Sequence, residues 1–263
     1  MRETWNQPGP DDRRKSVTEA SRYSRRTMFA GGALLVAASL FGCAPNDPEP
    51  SSTPSGTSVS SPPPGDLRAQ LAAALRDRSP ANASLVENQR TSLTRVSADW
   101  LPGWQIIDAQ NSAPPHPRRF YAALSSDGRA EVLSGKPEAF SSMLVSAGVR
   151  VDSAEVASSI GEVLLDSTRD FQSFSYRIDR VEDIRWRPRL TPADEAERDD
   201  VVRTYRGQVK PAQAVQDGEG WQVTIWMVQG KNLVQHEVAI ASDSSVTDKP
   251  ETVVTDLPVP TSV

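Results

Sequence analysis

Hydrophobic residues recur at helical spacing in four segments of the chain, and each pattern is typical of a helix that packs on a core. Two of these segments also carry start signals. Pro137 stands in a first-turn position, and Asp152 and Glu155 are spaced as an N-terminal cap. A fifth helix, rich in carboxylates, is predicted to begin at Thr191-Pro192. The predicted helices cover residues 66–78, 84–97, 137–147, 152–168 and 191 to about 203.

Short apolar or alternating segments predict β-strands between and after these helices. Asp127-Gly128 separates two of them and predicts a tight hairpin, because this dipeptide tolerates the positive φ that such a turn requires. Gly230-Lys231-Asn232 predicts a second turn. The predicted strands cover residues 104–110, 119–124, 130–133, 171–179, 221–228, 233–241 and roughly 251–256.

The order of these elements shows no regular alternation of strand and helix. It predicts an α+β fold: an antiparallel sheet, made of the hairpin and a C-terminal meander, with helices packed mainly on one face. Residues 67–263 suffice for one domain, or for two small similar halves at 104–147 and 171–256. Because no internal repeat is evident, we predict a single domain over residues 66–263.

The segment from Ser24 to Cys43 differs from the rest in its pattern. Arg25-Arg26 precede an uncharged apolar run at 28–42, and the run ends at Cys43. A bilayer-spanning helix needs about 20 apolar residues, so this shorter run is more typical of a signal peptide. An unprocessed N-terminal anchor helix is the alternative.

Residues 24–29, SRRTMF, resemble the twin-arginine export motif, with Met28 where phenylalanine is usual. Residues 40–43, LFGC, resemble the lipobox of bacterial lipoproteins, with Phe41 in place of the usual small residue. The resemblance implies that Arg25 and Arg26 form the export signal and that residues 1–42 are removed. It also implies a lipid on Cys43 that holds the chain at the extracytoplasmic face of the cell membrane. A Sec-type lipoprotein signal is the alternative export route.

Composition limits the chemistry available to the mature chain. Residues 44–65, rich in proline, serine and threonine, predict a disordered linker after the lipidated cysteine. Residues 1–42 contain seven of the 29 basic and four of the 34 acidic side chains, so their removal would leave a net charge of −8. This charge argues against nucleic-acid binding. Cys43 is the only cysteine, which excludes intramolecular disulfides and cysteine-based metal sites, and we predict no cofactor or metal.

Three arginines alternate along a segment that is predicted to be extended. Arg185, Arg187 and Arg189 would lie on one side of such a chain, where they would bind an anion or a partner. The alternative is pairing with the carboxylates of the next helix, which we favour because surface pairs are common. These carboxylates are Asp194, Glu195, Glu197, Asp199 and Asp200.

Two tryptophans on one predicted strand are separated by an odd number of positions. Trp221 and Trp226 should point to opposite faces, so one of them would lie on the face without helices and form a binding surface. The two histidines, His116 and His236, lie far apart in the sequence. His236, between Val234 and Val238, is predicted to be a packing residue rather than a metal ligand or a catalytic base.

No motif for a serine hydrolase, a zinc protease or a nucleotide-binding site occurs. The leading hypothesis is therefore a lipid-anchored cell-envelope protein whose domain binds a protein, a glycan or a small ligand without catalysis. One alternative is an envelope hydrolase that uses carboxylates or a serine. A second alternative is a structural or assembly lipoprotein.

Overall fold

The computed structural model describes residues 64–113 and 117–260, with side chains from residue 67 onward. These residues belong to one compact unit. The predicted export signal at Arg25 and Arg26, the predicted lipidation site Cys43 and the histidine His116 lie outside the described residues. The structure therefore bears on the predicted domain and not on its anchor.

Five α-helices and nine strands make up this part of the chain. The helices are α1 (Pro64–Leu75), α2 (Pro80–Glu87), α3 (Pro137–Ala147), α4 (Ala154–Thr168) and α5 (Pro192–Tyr205), with a short 3-10 helix at Val181–Asp183. The strands are β1 (Thr91–Val96), β2 (Trp104–Asn111), β3 (Arg118–Ser125), β4 (Ala130–Val132), β5 (Ser175–Ile178), β6 (Gln213–Asp217), β7 (Gly220–Gln229), β8 (Asn232–Ile240) and β9 (Val246–Val254). Within the described ranges, none of the helices has both the length and the apolar character needed to cross a bilayer.

The strands form two antiparallel sheets, which confirms the α+β fold class. The first sheet has the order β1-β2-β3-β4, and the second has the order β5-β7-β8-β9 with β6 also paired to β7. The predicted hairpin and the predicted C-terminal meander therefore lie in different sheets. The hairpin forms as expected between β3 and β4, where Leu124 pairs with Ala130 and Gly128 has a φ of +87°.

Two short strands divide one edge of β7 between them. Ser175 of β5 pairs with Gln229 near the end of β7, whereas Gln213 of β6 pairs with Thr224 nearer its beginning. The opposite edge of the second sheet is β9, which contains Lys249-Pro250.

Helices cover both sheets and divide the core into three clusters. Helices α1 and α2 bury Leu71 and Val86 against one face of the first sheet. Helices α3 and α4 pack against both sheets, with Phe140 and Ile160 fully buried in the largest cluster. The far face of the second sheet is covered in part by α5, which contributes Val201. The site described below lies where α4 ends.

Local signals explain why three of the helices match their predictions. Pro137 begins α3, and Gly148 ends it with a φ of +61° and an N–H that donates to Leu144 O. Helix α4 is capped by Ser153, whose side chain accepts from the Val156 N–H, so the prediction of Asp152 as the cap was wrong. Helix α5 begins with a capping box between Thr191 and Asp194.

The predicted helix at 84–97 was wrong in its second half. Helix α2 ends at Glu87, and residues 91–96 form β1, in which Thr91 pairs with Asn111 of β2. The apolar residues in this segment fit a helical period, but β-branched residues such as Thr91 and Thr94 also favour a strand. Pairing with β2 decides between the two structures.

Candidate functional site

A cleft of about 420 Å³ lies between the start of β3 and the segment that follows α4. Its lining includes three arginines, Arg118, Arg119 and Arg169, together with Asp170 and Phe171. We call it the arginine cleft. The first two arginines belong to β3, and Arg169 directly follows the last residue of α4, Thr168. Three basic side chains therefore meet at one cleft, although the chain as a whole is acidic, with a net charge of −5.

The Arg119 side chain is held in one position by three hydrogen bonds. Its Nε donates to Asp108 Oδ1 at 2.8 Å, and its Nη2 donates to Asp108 Oδ2 at 2.7 Å and to the Tyr121 hydroxyl at 2.8 Å. The bond to Asp108 raises the pKa of Arg119 above its ordinary value. Among the described residues, Nη1 of Arg119 has no hydrogen-bond partner. One nitrogen of a fixed guanidinium group is therefore left for a ligand.

The β-sheet register explains this arrangement. Arg119 and Tyr121 are two residues apart on β3, so their side chains lie on the same face. Asp108 of β2 lies directly opposite Tyr121. Burial, followed by the charge of Asp108, raises the pKa of the Tyr121 phenol above 10.0, so it is a neutral hydroxyl at physiological pH.

Aromatic rings stabilise the positive charges of the cleft. The Phe171 ring centroid lies 5.3 Å from the Arg119 guanidinium carbon and 4.8 Å from that of Arg169. The Tyr121 ring stacks on Phe171 with centroids 5.8 Å apart. Cation–π contacts of this kind contribute about 0.5–1 kcal/mol each at exposed sites. Both guanidinium groups therefore contact the same aromatic ring, that of Phe171.

Two of the three arginines are not neutralised by a protein carboxylate within residues 64–113 and 117–260. Arg169 donates from Nη1 to the Ser175 carbonyl oxygen at 3.2 Å, while its buried Nε has no partner in that part of the chain. Arg118 is exposed and has no ion-pair partner there. A buried N–H without an acceptor is costly, so Arg169 carries an unsatisfied donor beside the cleft.

A second cleft, of about 360 Å³, adjoins the arginine cleft and shares Arg169 and Asp170 with it. We call it the polar cleft. Its other lining residues include Ser173 and Ser175 from the segment around the start of β5, and Gln229 from the end of β7. Apart from Arg169 and Asp170, its lining carries no charge.

Behind the polar cleft, His236 is 3% exposed and holds Gln229 in place. Its Nδ1 lies 2.9 Å from Asp248 Oδ2, and its Nε2 lies 3.0 Å from Gln229 Nε2. Because the carboxylate only accepts, His236 Nδ1 donates to Asp248, and the Gln229 amide is at hydrogen-bond distance from Nε2. The position that a serine nucleophile would need is therefore occupied, and in the described ranges no Ser-His-Asp triad forms.

The three arginines predicted from the sequence have different surroundings. The Arg185 guanidinium carbon lies 4.8 Å from the centroid of the Tyr176 ring. Arg187 Nη2 lies 3.0 Å from Asp194 Oδ1, which is the charge pairing that was the favoured alternative. Arg189 is exposed and has no ion-pair partner among the described residues.

The two predicted tryptophans lie on opposite faces of β7, and helices lie against both faces. Trp226 is 4% exposed and packs edge-on against Tyr205, so it belongs to the core and forms no binding surface. Trp221 is half-buried, and its Nε1 donates to the Val151 carbonyl oxygen at 3.0 Å. It lines a separate cleft of about 370 Å³ together with Asp217 and Glu219.

A further cleft, of about 310 Å³, contains Trp104 and two glutamates, Glu131 and Glu138. The Arg129 guanidinium carbon lies 5.3 Å from the centroid of the Trp104 ring. Arg129 therefore lies over one face of this indole. The arginine cleft, which brings three arginines together, is the stronger candidate site.

The residues of the arginine cleft are far apart in the sequence, which is why they were not predicted as a site. Arg118 and Arg119 follow the proline cluster at 114–117, and Arg169 is some fifty residues later. The available signal was the spacing of Arg119 and Tyr121 on one strand face, opposite Asp108 on the preceding strand. Nothing in the sequence placed Arg169 beside them.

In the described part of the chain, no group of three or more histidine, cysteine, aspartate and glutamate side chains is placed to hold a metal ion. No family model matches the sequence, and neither a curated protein nor a solved structure gives a significant match to it. The function must therefore be argued from the fold and the clefts.

Proposed function

We propose that this chain is an exported, lipid-anchored protein of the cell envelope whose domain binds an anionic ligand in the arginine cleft without catalysis. The observation that supports this most directly is the convergence of Arg118, Arg119 and Arg169 on one cleft in an acidic chain. Planar guanidinium groups bind carboxylates and phosphates through paired hydrogen bonds. The lipid on Cys43 would hold this binding domain near the membrane surface.

The contacts of the cleft favour binding over catalysis. Arg119 is fixed by Asp108 and Tyr121, so it is already in place when a ligand arrives and little conformational entropy is lost on binding. A serine hydrolase is not favoured, because Gln229 occupies the Nε2 atom of His236.

A structural or assembly role is also less well supported. Such a role would call for a broad apolar surface patch. The large hydrophobic side chains that are exposed in the described part of the chain are Val145 and Val215, which lie on different elements, α3 and β6.

Titration of the purified protein with sodium phosphate tests ligand binding. We expect saturable binding that Arg118→Gln and Arg169→Gln each weaken about tenfold, the effect of losing a charged hydrogen bond. Arg189→Gln is the matched control, because Arg189 is also exposed and lacks an ion-pair partner in the described part of the chain. Unchanged affinity in both cleft variants, or an equal loss in the control, would contradict the proposal.

The anchor is tested separately in cells. Cys43→Ala should release the protein from the membrane and remove the mass of the lipid, and Arg25→Lys combined with Arg26→Lys should block export by the twin-arginine route. A Cys43→Ala variant that stays membrane-associated with an unchanged mass would exclude lipidation at this position. Continued export of the double lysine variant would exclude the twin-arginine route alone.

A further inference from the structure

We infer that the ligand is an acidic sugar, whose anionic group binds in the arginine cleft and whose hydroxyl-bearing ring binds in the adjoining polar cleft. This inference rests on the proposed function and extends it. Both clefts are lined by Arg169 and Asp170, so they adjoin at these two residues, and we refer to the two clefts together as the groove. Ligand sites typically measure about 300–1,000 Å³. A single small anion would therefore leave much of the groove empty.

The polar cleft has the hydrogen-bonding groups that sugar hydroxyls require. In the part of the chain that the structure describes, the hydroxyl groups of Ser173 and Ser175 form no hydrogen bond, and each can both donate and accept. The Asp170 carboxylate accepts from the Gln172 N–H at 2.9 Å and retains capacity to accept from a ligand hydroxyl. A sugar ring offers donors and acceptors in the same small volume.

Charge determines which part of the ligand enters which cleft. In the arginine cleft, three guanidinium groups outnumber two carboxylates, Asp170 in the lining and Asp108, which is paired with Arg119. In the polar cleft, Arg169 and Asp170 balance each other, so a second anionic group there would gain little. The groove therefore fits a molecule that is charged at one end and neutral but polar at the other.

The polar cleft is also pre-organised by its own backbone and by His236. The Gly230 N–H donates to the Phe174 carbonyl oxygen at 2.7 Å, which ties the turn after β7 to the segment before β5. Gln229 is held from behind by His236 and Asp248. Fixed polar groups lose little entropy when a ligand binds, which favours selective recognition of a sugar.

Calorimetric titration of the purified full-length protein with sodium phosphate, glucose 6-phosphate and glucose tests this inference. We expect glucose 6-phosphate to bind about tenfold more tightly than phosphate, and glucose to bind most weakly. Replacing Ser173 and Ser175 together by alanine should remove the advantage of the sugar phosphate and leave phosphate binding unchanged. Ser142→Ala, on α3, is the control and should change neither affinity.

The possible failures have different meanings. Equal affinity for phosphate and glucose 6-phosphate would overturn the acidic-sugar inference and leave the anion site intact. Binding of neither probe would contradict the proposed function itself. If the dipeptide alanyl-aspartate bound more tightly than glucose 6-phosphate and lost this advantage in the double serine variant, the groove would recognise acidic peptides and the sugar assignment would be wrong.

Discussion

Replacing Asp108 by asparagine should lower stability and raise anion affinity at the same time. The asparagine keeps the shape of the side chain and one oxygen acceptor, but it loses the negative charge that faces Arg119. The Asp108 and Arg119 side chains are 17% and 32% exposed, so the pair is neither fully buried nor fully solvated. A hydrogen bond to a charged group contributes about 1.5–3 kcal/mol, and an exposed ion pair less than about 1 kcal/mol.

From these two limits we expect Asp108→Asn to reduce the free energy of unfolding by about 1–2 kcal/mol. For a domain of this size the midpoint of thermal unfolding should fall by about 2–8 °C. Urea unfolding followed by tryptophan fluorescence measures the loss. Asp200→Asn is the matched control, because Asp200 and its partner Arg203 are 63% and 76% exposed, and the change there should stay within about 0.5 kcal/mol.

The same substitution removes a negative charge that opposes anion binding. We expect phosphate to bind about fivefold more tightly, equivalent to about 1 kcal/mol at an effective dielectric constant of about 20 with screening by salt. Two results would refute the reasoning. One is a variant as stable as the Asp200→Asn control, and the other is a variant that binds phosphate more weakly than the unmodified protein.

Three further substitutions test the core, a close backbone contact and the buried phenol. Phe140→Ala should lower the free energy of unfolding by about 3–5 kcal/mol, since Phe140 is fully buried between α3 and the sheets, and urea unfolding measures this. Gly220→Ala should cost about 1–3 kcal/mol in the same assay, because a Cβ there would overlap the Ile240 carbonyl oxygen. The folded protein holds the Tyr121 proton above pH 10.0, where the unfolded chain releases it, so stability should fall as the pH rises past that value. Tyr121→Phe should reduce this loss of stability at alkaline pH, which urea unfolding curves below and above about pH 10 measure. If the variant and the unmodified protein lost the same stability between the two pH values, the reasoning would be wrong.

The sequence predicted the elements whose ends are set by local chemistry. Helix α3 runs over the predicted residues 137–147, because Pro137 starts it and Gly148 ends it. Strand β1 was missed because its apolar residues also fit a helix, and pairing with β2 settles the structure. The division into two sheets could not be predicted, because it depends on α3 and α4 packing against both of them.

The candidate site shows the same limit. Clustering in the sequence pointed to Arg185, Arg187 and Arg189, but in the structure Arg185 contacts Tyr176 and Arg187 pairs with Asp194 instead of forming one site with Arg189. The arginine cleft instead combines Arg119 with Arg169, which follows a different element and lies fifty positions later. Single-sequence patterns identify side chains on one strand or helix, whereas this cleft depends on how distant elements meet.

The division of the β7 edge between two short strands bears on how the protein avoids aggregation. A long, flat, unpaired strand is a template for joining sheets of neighbouring molecules into aggregates. Here the edge is split into β5 and β6, of four and five residues, and β9 at the other edge carries Lys249-Pro250. Proline removes a backbone donor and lysine repels its counterpart on a second copy. If lipid anchoring concentrates this protein in two dimensions, the edges of its second sheet would resist pairing between neighbouring copies.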